Sequence, residues 1–168
     1  MNKKKDVIVS VVMGSDSDLP VMAEATKILQ EFDISHELFL TSAHRTPART
    51  AKFAEGAAGR GVKIIIVGAG AAAHLAGVIA SQTQLPVIGV PIDATSLRGL
   101  DALFSTVQMP GGIPVATMAI GKAGAKNAAL LAVRILALED KIISAKLASY
   151  IKKMADDVEK KQETLTTL

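Results

Sequence analysis

The chain has 168 residues, enough for one well-buried domain and few for two. Hydrophobic residues make up 49% of it and aromatic residues only 3%, which favours helices packed on a sheet over an aromatic-rich β-sandwich. The formal charge is +3, and no basic stripe is interleaved with aromatic residues, which argues against nucleic-acid binding. Cysteine is absent, which excludes disulfides, thiolate nucleophiles and cysteine-ligated metals.

Hydropathy gives an expectation about location. No apolar run is long enough to span a bilayer, and Met1–Asp6 lacks the hydrophobic segment of a secretion signal. We therefore expect a cytoplasmic protein that associates with neither membrane nor nucleic acid.

The first strand is predicted at Val7–Met13, a run of β-branched residues with little alternation, typical of a central parallel strand. The next residues, Gly14–Asp18, offer a tight turn, hydroxyls that can bind phosphate, and carboxylates that can cap a helix at about Leu19–Phe32. Capping by Ser17 or Asp18 explains this loop as well as a phosphate site does, so both interpretations stay open.

The second strand is predicted at His36–Thr41 and leads into the corner Ser42-Ala43-His44-Arg45-Thr46-Pro47. Pro47 can occupy the first position of a helix that extends to about Gly59. In α/β proteins such corners form the ligand crevice, so an imidazole, a guanidinium and two hydroxyls stand where chemistry occurs. Taken alone, the corner is better explained as a helix cap with solvated charges, and it is the rest of the sequence that favours a functional site.

The third strand is predicted at Val62–Val67 and precedes a turn of glycine and alanine, Gly68–Ala73, with His74 at its mouth. Such a turn lets a ligand approach the backbone closely. Gly68 and Gly70 can equally serve to bring a helix against the sheet, and their spacing is not the three-glycine dinucleotide fingerprint.

Two more strands are predicted at Pro86–Pro91 and Val115–Ile120, separated by a proline- and glycine-rich loop at Val107–Pro114. A small-residue helix follows at about Ala125–Leu138. Strand and helix thus alternate five times, which predicts a three-layer α/β/α sandwich with a flavodoxin-like, doubly wound parallel sheet.

A charged segment with one apolar stripe follows Asp140 and predicts an extra C-terminal helix at about residues 140–160. The stripe contains Ile143, Leu147, Tyr150, Ile151, Met154 and Val158. It can pack on its own domain or on another subunit. We expect one domain over residues 1–168, with its core at about 6–139 and this helix as an association element.

The polar residues of the first three corners are expected to converge. They are Ser15, Asp18, Ser42, His44, Arg45 and His74. With strand order 2-1-3-4-5, the winding reverses between strands one and three, and a ligand should bind there. A phosphoacceptor receiver domain needs an aspartate at the end of strand three, where this chain has Gly68. A flavin carrier usually stacks its ring on aromatic residues, but this chain has no Trp and its single Tyr, Tyr150, is far down the tail.

Several motifs, in one order, carry a resemblance to a known family. They are Gly14–Asp18, Ser42–Pro47, Ala72–Leu75, Leu85–Pro91, Val107–Pro114 and Ala119–Ala125. The sequence resembles the PurE family of purine biosynthesis, the N5-carboxyaminoimidazole ribonucleotide mutases. The resemblance covers the chain from about Val7 to Leu138.

This resemblance implies a mutase that moves a carboxyl group from the exocyclic nitrogen of aminoimidazole ribonucleotide to ring carbon C4, without metal, nucleotide or organic cofactor. His44 matches the family's general acid and base. The resemblance also assigns Ser15, Asp18, Ser42 and Arg45 to the ribose phosphate, and Gly70, Ala71, His74 and Leu75 to the imidazole and carboxylate. It implies a homo-octamer, with the 108–112 loop and the terminal helix in association.

The chain departs from the family pattern in the glycine turn, where Ala71 replaces a glycine and Ala76 and Val78 also differ. Ala71 adds a methyl near the substrate and strains the turn if its φ is positive. A related class carboxylates aminoimidazole ribonucleotide directly and has a lysine where this chain has Arg45. Arg45 therefore favours the mutase; the direct carboxylase and a non-catalytic nucleotide-binding module are the alternatives.

Overall fold

The computed structural model describes residues 7–166, which form two compact units, one ending at Leu130 and the other beginning at Leu131. The first unit contains a five-stranded parallel sheet in the order β2-β1-β3-β4-β5. The strands are β1 (Val9–Met13), β2 (His36–Leu40), β3 (Ile64–Gly70), β4 (Val87–Ile92) and β5 (Ala116–Thr117). The predicted flavodoxin-like fold and its strand order are confirmed.

The helices follow the strands in alternation. They are α1 (Leu19–Glu31), α2 (Pro47–Ala57), α3 (Leu75–Ala80), α4 (Leu100–Val107), α5 (Lys122–Leu136) and α6 (Lys141–Thr166). Every residue of β1 is buried, as expected for a β-branched strand covered on both faces. The edge strand β2 is half exposed, with Leu38 and Leu40 on its open side.

Strand β3 continues three residues beyond its predicted end at Val67, through Gly68 and Gly70. It does so because it has partners on both sides, Met13 beside Gly68 and Ile92 beside Gly70. A Cβ on Gly68 would lie 2.3 Å from the sulfur of Met22, so this glycine lets α1 pack close to the sheet. The helix-packing interpretation of Gly68 is therefore confirmed.

Strand β5 is only two residues long, whereas the sequence predicts Val115–Ile120. The amide of Met118 donates to the carbonyl of Gly89 on β4. The next bond of a parallel ladder would need an N–H from Pro91, which proline lacks. The regular ladder therefore stops, and the amide of Gly121 donates to Pro91 instead.

Helix α6 lies in the second unit and is longer than predicted, at 26 residues. Asp140 caps it by accepting hydrogen bonds from the amides of Ile142 and Ile143 at 2.8 and 3.1 Å. Three residues of its apolar stripe, Ile151, Met154 and Val158, are exposed in the single chain. Within residues 7–166, none of the helices is both long and apolar enough to cross a membrane.

Candidate active site

A cavity of about 360 Å³ lies at the carboxyl ends of β1, β2 and β3. It is lined by all nine residues that the sequence predicts, namely Ser15, Asp18, Ser42, His44, Arg45, Gly70, Ala71, His74 and Leu75. The winding of the sheet reverses between β1 and β3, which is where ligands bind in open α/β sheets.

Six further residues line the cavity, namely Gly14, Ser17, Ala43, Ala69, Ala72 and Ala94. Of these, only Ala94 lies outside the three corners that the sequence predicts to converge. Ala94 follows β4, whose carboxyl end lies beside that of β3 because the two strands are parallel neighbours. A Cβ on Gly70 would lie 2.4 Å from the Cβ of Ala94, so the missing side chain allows this loop to approach. The parallel pairing of strands three and four was the signal that could have located Ala94.

The loop after β1 is a short 3₁₀ helix, Asp16–Asp18, and Ser15 caps it. The Asp18 carboxylate accepts the backbone amide of Ser15 at 3.0 Å, and the Ser15 hydroxyl accepts the amide of Ser17 at 3.4 Å. The capping serine is thus Ser15, while Asp18 forms the other half of a capping box. Burial raises the pKa of the Asp18 carboxyl, although hydrogen bonds from the Ser15 and Gly14 backbone oppose the shift.

The corner after β2 is held by its own hydroxyls. The amide of Arg45 donates to the Ser42 hydroxyl at 3.2 Å, and the amide of Ser42 donates to the Thr46 hydroxyl at 3.0 Å. The Arg45 guanidinium donates to the carbonyl of Gly14 at 3.2 Å. This bond joins the corner to the loop after β1, so Arg45 lies beside Ser15 in the cavity wall.

His44 and His74 are 30 positions apart in the chain and form a direct hydrogen bond. Nε2 of His44 lies 2.9 Å from Nδ1 of His74, and the two rings are nearly perpendicular, with centroids 5.0 Å apart. His74 precedes α3, which begins at Leu75. The sequence predicts both histidines at one crevice but not their contact. An imidazole pair of this kind can pass a proton, since each ring has one donor and one acceptor when neutral.

Ala71 has a φ of +54°, which meets the condition for strain stated above. The amides of Ala73 and His74 donate to the carbonyls of Ala71 and Ala72 at 2.8 and 2.6 Å, so the turn is tight.

Within residues 7–166, no group of three or more His, Cys, Asp or Glu side chains is arranged so that it could hold a metal ion.

The doubly wound sheet has a cavity at its switch point, and this cavity contains two contacting imidazoles and an arginine. These features define an α/β protein that binds a small polar ligand and can exchange protons with it. The family model for AIR carboxylase matches residues 8–157. The chain therefore belongs to the AIR carboxylase family.

Individual relatives agree with this assignment. The N5-carboxyaminoimidazole ribonucleotide mutase of Pyrococcus horikoshii is 56% identical, over 97% of this chain and 91% of that protein. The phosphoribosylaminoimidazole carboxylase of Candida albicans is 51% identical over 96% of this chain but only 28% of its own length. The crystal structure of Treponema denticola PurE superposes with a TM-score of 0.84 at 30% identity, covering 94% of this chain and 98% of that one.

Proposed function

We propose that this protein is an N5-carboxyaminoimidazole ribonucleotide mutase of purine biosynthesis, an isomerase acting on a small ribonucleotide without metal, nucleotide or organic cofactor. The observation that carries the proposal is the contact of His44 with His74 in a cavity that also contains Arg45. Relatives that cover nearly the whole chain and are named as this mutase support it.

In the proposed reaction His44 donates a proton to the exocyclic nitrogen as the carbon–nitrogen bond breaks and carbon dioxide leaves. Ring carbon C4 then attacks the trapped carbon dioxide, and a new carbon–carbon bond forms. The proton on C4 returns to His44, so the imidazole finishes the cycle in the state in which it began. His74 lies 2.9 Å from the reactive ring and is the group that can orient it or share its proton.

The binding roles divide the cavity by chemistry. In the proposal Ser15, Ser42 and Arg45 hold the phosphate, because hydroxyls and a guanidinium suit an anion. Asp18 accepts hydrogen bonds from the ribose hydroxyls. The backbone at Gly70 and Ala71, with the Leu75 side chain, lies against the imidazole and its carboxylate. A cytoplasmic homo-octamer, with α6 in its interfaces, belongs to the same proposal.

Direct carboxylation of aminoimidazole ribonucleotide by carbon dioxide is the second candidate, favoured by the family description and by the Candida relative. A substrate-binding assay cannot separate the two, since both reactions use the same ribonucleotide. Measuring how much label the product retains can separate the two reactions. With substrate labelled at the carboxyl carbon and unlabelled bicarbonate in the buffer, a mutase should keep most of its label in the product, because the site holds the gas until C4 attacks.

The matched reaction starts from aminoimidazole ribonucleotide and bicarbonate. Rapid product formation from that mixture, with no use of the carboxylated isomer, would identify a direct carboxylase and overturn the proposal. No product from either substrate would identify a binding module. The His44→Asn variant controls for uncatalysed rearrangement of the substrate.

A further inference from the structure

A second cavity, of about 290 Å³, adjoins the first and shares Gly14, Ser15, Ser42 and Arg45 with it. Its remaining lining residues are Asp16, Leu40, Thr41, Thr46 and Arg49. A single water molecule occupies roughly 30 Å³, so this space can accept a hydrated tetrahedral oxyanion. None of the roles assigned above uses Arg49.

The charge of this second cavity favours an anion. Its lining includes two arginines, Arg45 and Arg49, and one acidic residue, Asp16. The Asp16 carboxylate is already engaged, because it accepts the Ser15 hydroxyl and the Ser17 amide, both at 3.1 Å. In the part of the chain that the structure describes, Arg49 forms no ion pair with any carboxylate. Its charge is therefore available to a ligand.

Arg49 is also held in place by aromatic stacking. Its guanidinium carbon lies 5.0 Å from the ring centroid of Phe39, which stacks on Phe53 at 4.3 Å. Arg60 lies over the other ring of this pair, 5.1 Å from the centroid of Phe53. A stacked guanidinium loses less conformational freedom when it binds, which makes Arg49 a preorganised donor fork.

We propose that Arg49 is a second cationic ligand, beside Arg45, for a phosphate dianion that binds in the second cavity. With the function proposed above, on which this part rests, the dianion is the 5′-phosphate of the substrate, and Arg49 helps the enzyme to select the phosphorylated ribonucleotide over its nucleoside. The 5′-phosphate of the substrate is far from the reacting atoms, so Arg49 should stabilise the bound substrate and the transition state equally.

The test compares Arg49→Met with Arg60→Met. Each variant removes one guanidinium from the same aromatic stack, and Arg60 also loses its ion pair with Glu37. Arg49 lines the second cavity, whereas Arg60 does not. Calorimetric titration with inorganic phosphate needs no turnover and therefore tests the subsite even if the proposed reaction is wrong. We expect the phosphate dissociation constant to rise about tenfold in Arg49→Met and to stay at the wild-type value in Arg60→Met.

Steady-state kinetics identify the source of the anion. If the substrate supplies it, phosphate competes with substrate, and KM rises about tenfold in Arg49→Met with a much smaller change in kcat. If a separate anion occupies the subsite, phosphate binds to the substrate-saturated enzyme as well, and KM does not change. Equal phosphate affinity in the wild type and a folded Arg49→Met variant, checked by its melting temperature, would overturn the proposal.

Discussion

Ala71 offers a test of backbone strain in which two neighbouring alanines should respond in opposite directions. Its φ of +54° lies in the left-handed region, which costs an L residue about 1–2 kcal/mol. Glycine avoids that cost but loses about 0.5–1 kcal/mol through its freer unfolded chain. We therefore expect Ala71→Gly to raise the free energy of unfolding by roughly 0.5–1 kcal/mol, or the melting temperature by roughly 2 °C.

The control is Ala72→Gly. Ala72 is exposed like Ala71, so neither change opens a cavity in the core, but Ala72 is outside the left-handed region. Ala72→Gly should therefore lower the free energy of unfolding by about 0.5–1 kcal/mol. Urea unfolding at one fixed protein concentration measures both. Equal destabilisation by the two substitutions would refute the claim that the turn is strained at Ala71.

Three further predictions concern the site and the helix after it. His44→Asn should lower turnover about 10²- to 10⁴-fold while substrate still binds, because general acid and base catalysis is lost; near-wild-type turnover would contradict the role. Burial raises the pKa of Asp18, so the folded protein keeps the proton on this carboxyl to a higher pH than the unfolded chain does. The stability that the protonated carboxyl contributes is therefore lost as pH rises from the ordinary carboxyl range through the raised pKa. Asp18→Asn, which cannot ionise, should gain stability relative to the wild type over that interval in urea unfolding, whereas a constant difference would argue against the shift. Truncation after Asp140 should lower the mass found by light scattering, because the exposed apolar residues of α6 are expected to pack between subunits; an unchanged oligomer would count against an interface there.

The fold was predictable because β-branched runs and polar corners alternate along the chain. The ends of the strands were harder to predict, because pairing with neighbouring strands decides where each strand ends. Gly68 and Gly70 look like turn residues in the sequence, yet neighbours on both sides keep them in β3. Strand β5 is short because Pro91 lacks an N–H, and Pro91 lies on the neighbouring strand β4. The sequence of residues 115–120 alone therefore cannot predict where β5 ends.

The candidate site shows a similar division. Parallel strands end at one edge, so Ser15, His44 and His74 could be placed together from the sequence, although their roles stay predictions. The second cavity could not be inferred, because the place of Arg49 depends on its stacking against Phe39, a contact between a helix and an edge strand. Side-chain contacts of this kind have no periodic signature in the chain.

The bond between His44 and His74 couples the tautomers of the two rings. One proton lies between Nε2 of His44 and Nδ1 of His74, so if His44 donates it, the other nitrogen of neutral His74 must carry that ring's hydrogen. When a doubly protonated His44 gives up this proton, its Nε2 becomes an acceptor while its Nδ1 keeps a hydrogen, and His74 can keep the bond only by moving its own hydrogen to Nδ1. Hydrogens on both facing nitrogens, Nε2 of His44 and Nδ1 of His74, would set two N–H groups against each other and break the bond. Each proton transfer through Nε2 of His44 should therefore be visible as a change in the nitrogen NMR shifts of His74.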